Sequence, residues 1–156
     1  IMMMPMIAVV QRVSSAEVEA DGAVAAAIGP GLLVLLCAVK GDGEADVDYL
    51  VRKVSQLRVF PNDEGRMDRS ALDIGGGVLV VSQFTLAAST RKGTRPSFDR
   101  AEAPERAREL VDLFADRLLT TGLAVGTGVF GRMMTVSLVN DGPVTLILDS
   151  REGRNA

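Results

Sequence analysis

The sequence contains no histidine and no tryptophan, and only one cysteine, one tyrosine and five phenylalanines in 156 residues. The missing histidines exclude Ser-His-Asp and Cys-His catalysis and every zinc motif built on imidazole. The single cysteine, Cys37, rules out an intrachain disulfide. It lies within GLLVLLCAV and reads as a buried thiol. Neither a G-x-x-x-x-G-K-[ST] nor a G-x-G-x-x-G phosphate loop is present. The GGG at 75 to 77 precedes a strand pattern rather than a helix, so it reads as a turn. No apolar run approaches the ~20 residues of a membrane helix. The start, IMMMPM, lacks the charged and long apolar regions of a signal peptide. The cytoplasm is therefore the expected compartment, with no membrane partner, metal or cofactor. An enzyme with this composition does not use the usual side-chain bases at neutral pH.

What is present suits one compact domain: 47% hydrophobic and 24% charged residues, with a net charge of −3. That charge gives no general nucleic-acid signature, and DNA is not an expected partner. The basic residues are uneven, however. TRKGTRPSFDR, residues 90 to 100, carries Arg91, Lys92, Arg95 and Arg100, which suits either a solvated loop or a local phosphate contact.

Apolar periodicity organises the chain. IAVVQRV (7 to 13), AEVEA, AVAAAIG and LLVLLCAV read as strands, with Asp21-Gly22 as a hairpin turn. Val47, Leu50, Val51, Val54 and Leu57 share one face of a first helix. Residues 61 to 77 read as a long polar connection, and VLVVSQFTL (78 to 86) as a buried strand. Pro104 opens a second helix with the stripe Ala107, Leu110, Val111, Phe114 and Leu118, and Gly122 closes it. LAVGTGVF, MMTVSLV and VTLILDS read as three closing strands. Two helices cannot cover both faces of so much sheet. The expectation is a single α/β domain over 6–150, with three layers (α/β/β), about seven strands and two main helices. Residues 1–5 read as extra, and 151–156 as a loose tail. A second sheet layer or a partner subunit, and so a homodimer, is expected to bury the rest.

Polar residues interrupt two apolar strands, at Ser82-Gln83-Phe84-Thr85 and at Asn140-Asp141-Gly142-Pro143-Val144-Thr145. Such residues either satisfy local backbone groups or face a site. SQFTL at 82 to 86 and NDGPVT at 140 to 145 resemble the D-aminoacyl-tRNA deacylases. The likeness runs from MIAVVQRVSSAEV through AIGPGLLVLL, VVSQFTLAAST and RPSF to VSLVNDGPVTLILDS, with Met6 at the usual initiator.

The resemblance implies hydrolysis of the ester joining a D-amino acid, or mischarged glycine, to the 3′-terminal adenosine of tRNA. It implies a metal-free homodimer with each site at the subunit boundary. There one chain's Ser82-Gln83-Phe84-Thr85 would meet the other's Gly142-Pro143, joined by a cis peptide. Two carbonyls pointing the same way would bind the substrate ammonium and exclude an L side chain, a selection by exclusion. Backbone N–H groups near Phe84 and Thr85 would hold the oxyanion. Either the substrate's ribose hydroxyl activates water, or Thr85 is a covalent nucleophile. Arg12 matches a residue that would brace the Gly-Pro turn, or it is a plain surface charge. Phe130 and Met134 match adenosine-pocket positions, or they pack in the core. Met133-Met134-Thr135 departs from the family's usual Asp-Met-Gln, which puts polar contacts at 133 and 135 in doubt. The same fold without turnover, as a tRNA- or nucleotide-binding module, and a small dimeric scaffold are the other readings.

Overall fold

The computed structural model describes residues 5–154. In chain order the elements are β1 (Ile7–Ala20), β2 (Ala23–Ile28), β3 (Gly31–Cys37), α1 (Glu44–Gln56), β4 (Phe60–Pro61), β5 (Met67–Arg69) and β6 (Gly77–Ser82). A 3-10 turn, Phe84–Ala87, follows β6, and then come α2 (Pro104–Thr120), β7 (Ala124–Thr127), β8 (Met134–Asp149) and the short α3 (Arg151–Arg154). The result is a mixed α/β fold of eight strands and two main helices. No described helix is long and apolar enough to cross a membrane.

β1 organises the sheet. Its first half pairs with β3 and its second half with β2, both antiparallel, while β8 runs antiparallel along its other edge. Beyond β3 the order continues to β6 and β7, both parallel to it. Alternation then gives two apolar faces. Ala8, Val10, Leu32, Val34, Val78 and Val80 pack against Leu50 and Val54 of α1 and Leu110 and Phe114 of α2. On the other face, Val13, Ala16 and Val18 pack with Leu33, Leu79 and Val81, joined by Ala26, Ile28 and Val136. The sheet thus folds back on itself. The far half of β1, with β2 and the start of β8, covers the strand face that the helices leave open.

Local chemistry sets the helix ends. The Asp46 carboxylate accepts the Gly43 N–H at 2.8 Å at the start of α1. Pro104 sits in the first turn of α2, where its missing N–H costs nothing. Leu57, expected in the first helix stripe, lies just past the end of α1.

Three expectations change. The strands expected at 7–13 and AEVEA are one continuous β1, and the last two expected strands are one continuous β8. A pattern of polar residues marks an irregular pairing but does not say whether the strand continues through it. Next, the strand expected to reach Leu86 stops at Ser82 and turns into the 3-10 segment. The connection at 61–77 begins with the β4–β5 ribbon, whose turn is held by Asn62 Oδ1 accepting the N–H groups of Glu64 and Arg66.

The residues flanking β1 and β8 are tied to each other. The Met6 N–H donates to Ser150 Oγ at 2.8 Å, and the Ser150 N–H donates to the Met6 carbonyl at 3.0 Å. Ser150 Oγ then donates to buried Asp46 at 2.7 Å. Of the residues read as extra, 1–4 lie outside those described, whereas Pro5 is buried. The tail expected to be loose from 151 instead begins as the α3 turn, with Arg151 clamped on Asp149 at 2.7 Å.

Candidate active site

β3 and β6 run parallel, and a cavity of about 570 Å³ opens beyond their carboxyl ends. This is where open α/β sheets place their ligands. Leu36, Cys37 and Ala38 line it from β3 and its exit, Ser82, Gln83 and Phe84 from the end of β6, and Ala107 and Val111 from α2. Phe130 and Phe98 complete the apolar wall, so three of the chain's five phenylalanines meet at one cavity. Phe84 is 59% exposed and meets Phe98 edge to face, with centroids 5.0 Å apart. A large exposed ring of this kind suits a ligand surface.

The 3-10 turn matters more than its side chains. The Gln83 N–H is held by the Leu36 carbonyl at 2.8 Å, and the Leu86 N–H returns to the Gln83 carbonyl. The N–H groups of Phe84 and Thr85, at the start of the turn, make no hydrogen bond among the described residues. The first amides of a helical turn are unpaired by construction. Here they belong to the segment that borders the cavity, so two donors are available for an anionic oxygen. The exposed Thr85 hydroxyl accepts from the Gln83 side-chain amide at 3.1 Å, and an amide is no base.

The Gly-Pro segment is a bulge. Gln11 pairs with Thr145 and Val13 with Asn140. Two steps along β1 are therefore matched by five along β8, and residues 141 to 144 arch out of the ladder. The Gly142–Pro143 peptide is cis, Gly142 has φ 132°, and both residues are exposed. Side chains fix the arch from behind. Arg12 donates to the Asp141 carbonyl at 3.0 Å and the Val59 carbonyl at 2.6 Å, and pairs with the Asp141 carboxylate at 3.4 Å. Its side chain is only 12% exposed. The Asn140 amide donates to the carbonyls of Arg12 and Val144, each at 3.0 Å. Thr145 Oγ1 accepts from Gln11 at 3.2 Å. Val144 is half-buried and packs on the helix-side core.

Within one chain the two segments do not meet. Ser82 pairs with Leu36, Leu36 with Ala8, and Ala8 with Leu148, five residues beyond Pro143. Three strand spacings across and several residues along put them roughly 20 Å apart. A family model described as D-Tyr-tRNA(Tyr) deacylase matches residues 9–149. The chain belongs to that family. A relative named D-aminoacyl-tRNA deacylase, from Roseiflexus castenholzii, is 59% identical over 151 residues, 95% of this chain and 96% of its own. Another of that name, from Ruegeria sp. (strain TM1040), is 55% identical over 148 residues, 95% of each chain. A solved structure described as "c-Myc DNA Unwinding Element Binding Protein" is 39% identical, with a TM-score of 0.85 over 92% of this chain and 97% of its own. One described as a probable eukaryotic D-amino acid tRNA deacylase has a TM-score of 0.82 over 94% of this chain and 100% of its own. At 15% identity, it shows the fold alone.

Against the deacylase family pattern, Phe130 lines the cavity but Met134 does not. Met134 packs with the second apolar cluster, and its sulfur lies 3.4 Å from the Val129 N–H. Of the two readings of Met134, pocket wall or core, this is the packing of the second. Gly128 has no side chain, and Met134 fills the space above it. Met133, at the departure from the family pattern, is 91% exposed, and Thr135 pairs with Glu19. Arg91, Lys92 and Arg95 are exposed on a narrow loop closed by paired hydrogen bonds between Ser89 and Ser97. The expectation missed Lys40 and Glu102 on the cavity wall. Lys40 was legible in one respect, as the first charged residue after a buried parallel strand.

Cys37 lines the same cavity of this deacylase-family chain but is no nucleophile. Burial pushes its thiol up from 9.0 to about 11; a backbone hydrogen bond at Ala87 and the charge of Arg100 oppose the shift, and Asp42 adds to it. At pH 8 a maleimide reagent should label the native protein far more slowly than the unfolded chain, and equal rates would refute this placement. The raised thiol favours the folded state below pH 9, and that contribution fades as pH rises through about 11.

Proposed function

We propose that the chain hydrolyses the ester between a D-amino acid, or mischarged glycine, and the 3′-terminal adenosine of tRNA, as a homodimer in the cytoplasm. Family membership carries the reaction class. The observation that carries the mechanism is the pair of unsatisfied N–H groups at Phe84 and Thr85 beside an apolar cavity. A terminal adenosine held in that cavity sets its ester against these two donors. They stabilise the oxyanion of the tetrahedral intermediate. Water attacks, helped by the neighbouring ribose hydroxyl. Thr85 as nucleophile is disfavoured because its oxygen faces the Gln83 amide rather than a base.

Chirality is read by main chain. Gly142 and Pro143 present carbonyls on an exposed arch that Arg12 and Asn140 hold from behind. Those carbonyls accept from the substrate ammonium and leave no room where an L side chain projects. Since the roughly 20 Å separation keeps an arch from its own chain's cavity, the arch serves the site of a second copy. The DNA element named for the 39%-identical structure is not carried over, because a net charge of −3 offers little to a duplex.

The test follows ester loss from D- and L-aminoacyl-tRNA. Selective loss of the D ester is expected, and equal loss or none rejects the reading. Shared sites add a second arm. Gly142→Ala and Ser82→Trp, the latter filling the cavity, should each be nearly inactive. Mixed in equal amounts and exchanged, the population should regain roughly a quarter of the parental rate, through one intact site in each hybrid dimer. No recovery despite subunit exchange would place each site within one chain.

A further inference from the structure

We propose that the cations around the cavity mouth form a phosphate rail for the single-stranded 3′ segment of the RNA, with Lys40 taking the phosphate nearest the bound terminal nucleoside. This rests on the deacylase reading and adds the element that distinguishes a polynucleotide from a nucleoside ester.

The distribution of partners carries the argument. Among the described residues, eight arginines pair with carboxylates. Arg52 and Lys53 lie over the Tyr49 ring, and Arg100 donates to the carbonyls of Ala87 and Ala88. The side chains of Lys40, Arg66, Arg91, Lys92 and Arg95 have no such partner. All five are exposed, and only Arg66 is remote from the cavity, in the β4–β5 turn. Lys40 lines the cavity itself, and its N–H is bound to the Arg100 carbonyl at 2.9 Å. The other three occupy the loop closed by Ser89 and Ser97, which runs directly into Phe98 at the cavity mouth. Lys40 and the loop thus hang on one strip, residues 97 to 102.

A chain with 20 acidic and 17 basic residues has carboxylates enough to neutralise these four, and it does so elsewhere. Glu102 on the cavity wall accepts the Ala103 N–H at 2.8 Å at the start of α2, and buried Asp42, two residues from Lys40, accepts the Val39 N–H at 2.7 Å. Asp99 lines a second groove, which Arg91 shares. Unpaired cations bordering an apolar, low-dielectric cavity focus an attractive potential on a polyanion. A lysine, as a compact charge on a flexible stem, suits a phosphate whose exact position varies.

The experiment compares two esters of one D-amino acid, on tRNA and on bare adenosine, which carries no phosphate. In Lys40→Gln, kcat/KM on the tRNA ester should fall about tenfold, mainly through KM, and at least fivefold more than on the adenosine ester. Lys40→Arg should recover most of it. The triple variant Arg91→Gln, Lys92→Gln, Arg95→Gln should lose more on tRNA and nothing on adenosine. The dependence of log kcat/KM on log salt should flatten by about 0.7 for each contact removed. Equal losses on both esters, or no loss on tRNA, overturn the rail. Should the unaltered protein cleave neither ester, the deacylase reading falls instead. The rail then stands or falls on filter binding of uncharged tRNA, with unchanged affinity in Lys40→Gln refuting it.

Discussion

Gly31→Ala is expected to destabilise the fold severely. Gly31 starts β3 and pairs with Val13 on one side and Gly77 on the other. An added Cβ would stand 1.9 Å from the Gly77 carbonyl oxygen and 2.8 Å from two further backbone atoms of Gly77. No rotamer change relieves a clash between backbones. The strands must separate, and β3–β6 is the pairing on which both apolar clusters are built. A loss above about 4 kcal/mol is expected, against a typical total of ~5–15 kcal/mol. At this chain length that corresponds to a fall in Tm of roughly 10 °C or more. Gly77→Ala is the informative neighbour. Its Cβ would meet an Ile28 methyl at 3.0 Å, and a side chain yields more readily, so a smaller loss is expected. Thermal melts decide the matter. A Gly31→Ala protein melting within a few degrees of the parent would mean the strand contact is looser than described.

Gly142→Ala should do the reverse, sparing the fold and removing the activity. Gly142 is exposed on the arch, so little core depends on it. Its φ of 132° is one that side-chain-bearing residues rarely adopt. A Cβ there would lie 2.8 Å from Val144 Cγ2, 3.0 Å from the Val144 nitrogen and 3.1 Å from Arg12 Nη2. The arch must shift, taking its two carbonyls with it. A displacement near 1 Å costs about 100-fold where geometry does the chemistry. The expected outcome is a drop of that order in kcat/KM on D-aminoacyl-tRNA, with melting lowered by only a few degrees. The D-over-L preference should narrow at the same time. Arg12→Ala, which frees the Asp141 and Val59 carbonyls, should reproduce the effect in weaker form. Parental activity and preference in Gly142→Ala would sink the main-chain account of chirality.

Both glycines show where the sequence is legible and where it is not. Periodicity marks the helices well, because Val47, Leu50, Val51 and Val54 must share one face whatever the tertiary context. It also marks β3 and β6, whose unbroken apolar runs reflect burial on both sides. It fails at continuity. Ser14-Ser15 and Asn140-Asp141-Gly142-Pro143 look like breaks, yet both are places where pairing shifts and the strand goes on. The Gly31–Gly77 contact is invisible to pattern, since it depends on which strands become neighbours. For the site, the polar interruptions at 82–85 and 140–145 are readable as anomalies in apolar runs. The N–H pair at Phe84 and Thr85 enters only through the family resemblance; pattern alone does not give it, because it arises when the strand ends at Ser82 and curls. Met134 is ambiguous in the sequence for a related reason: it matches a pocket position of the family, yet a flexible side chain there also fills the space that Gly128 leaves open. Lys40 is overlooked because a lysine after a strand is ordinary, and only the partners of the other cations set it apart.

The ring closed by Met6 and Ser150 has a mechanical consequence. Each donates a hydrogen bond to the other, and Asp46 of α1 anchors the pair. Most chains unzip from a loose end, one residue at a time. Here, freeing Met6, just before β1, also frees Ser150, just after β8, and cuts the tether to the helix layer. Pulling on either residue therefore loads β1, β8 and α1 at once, so β1 and β8 shear together rather than peel singly.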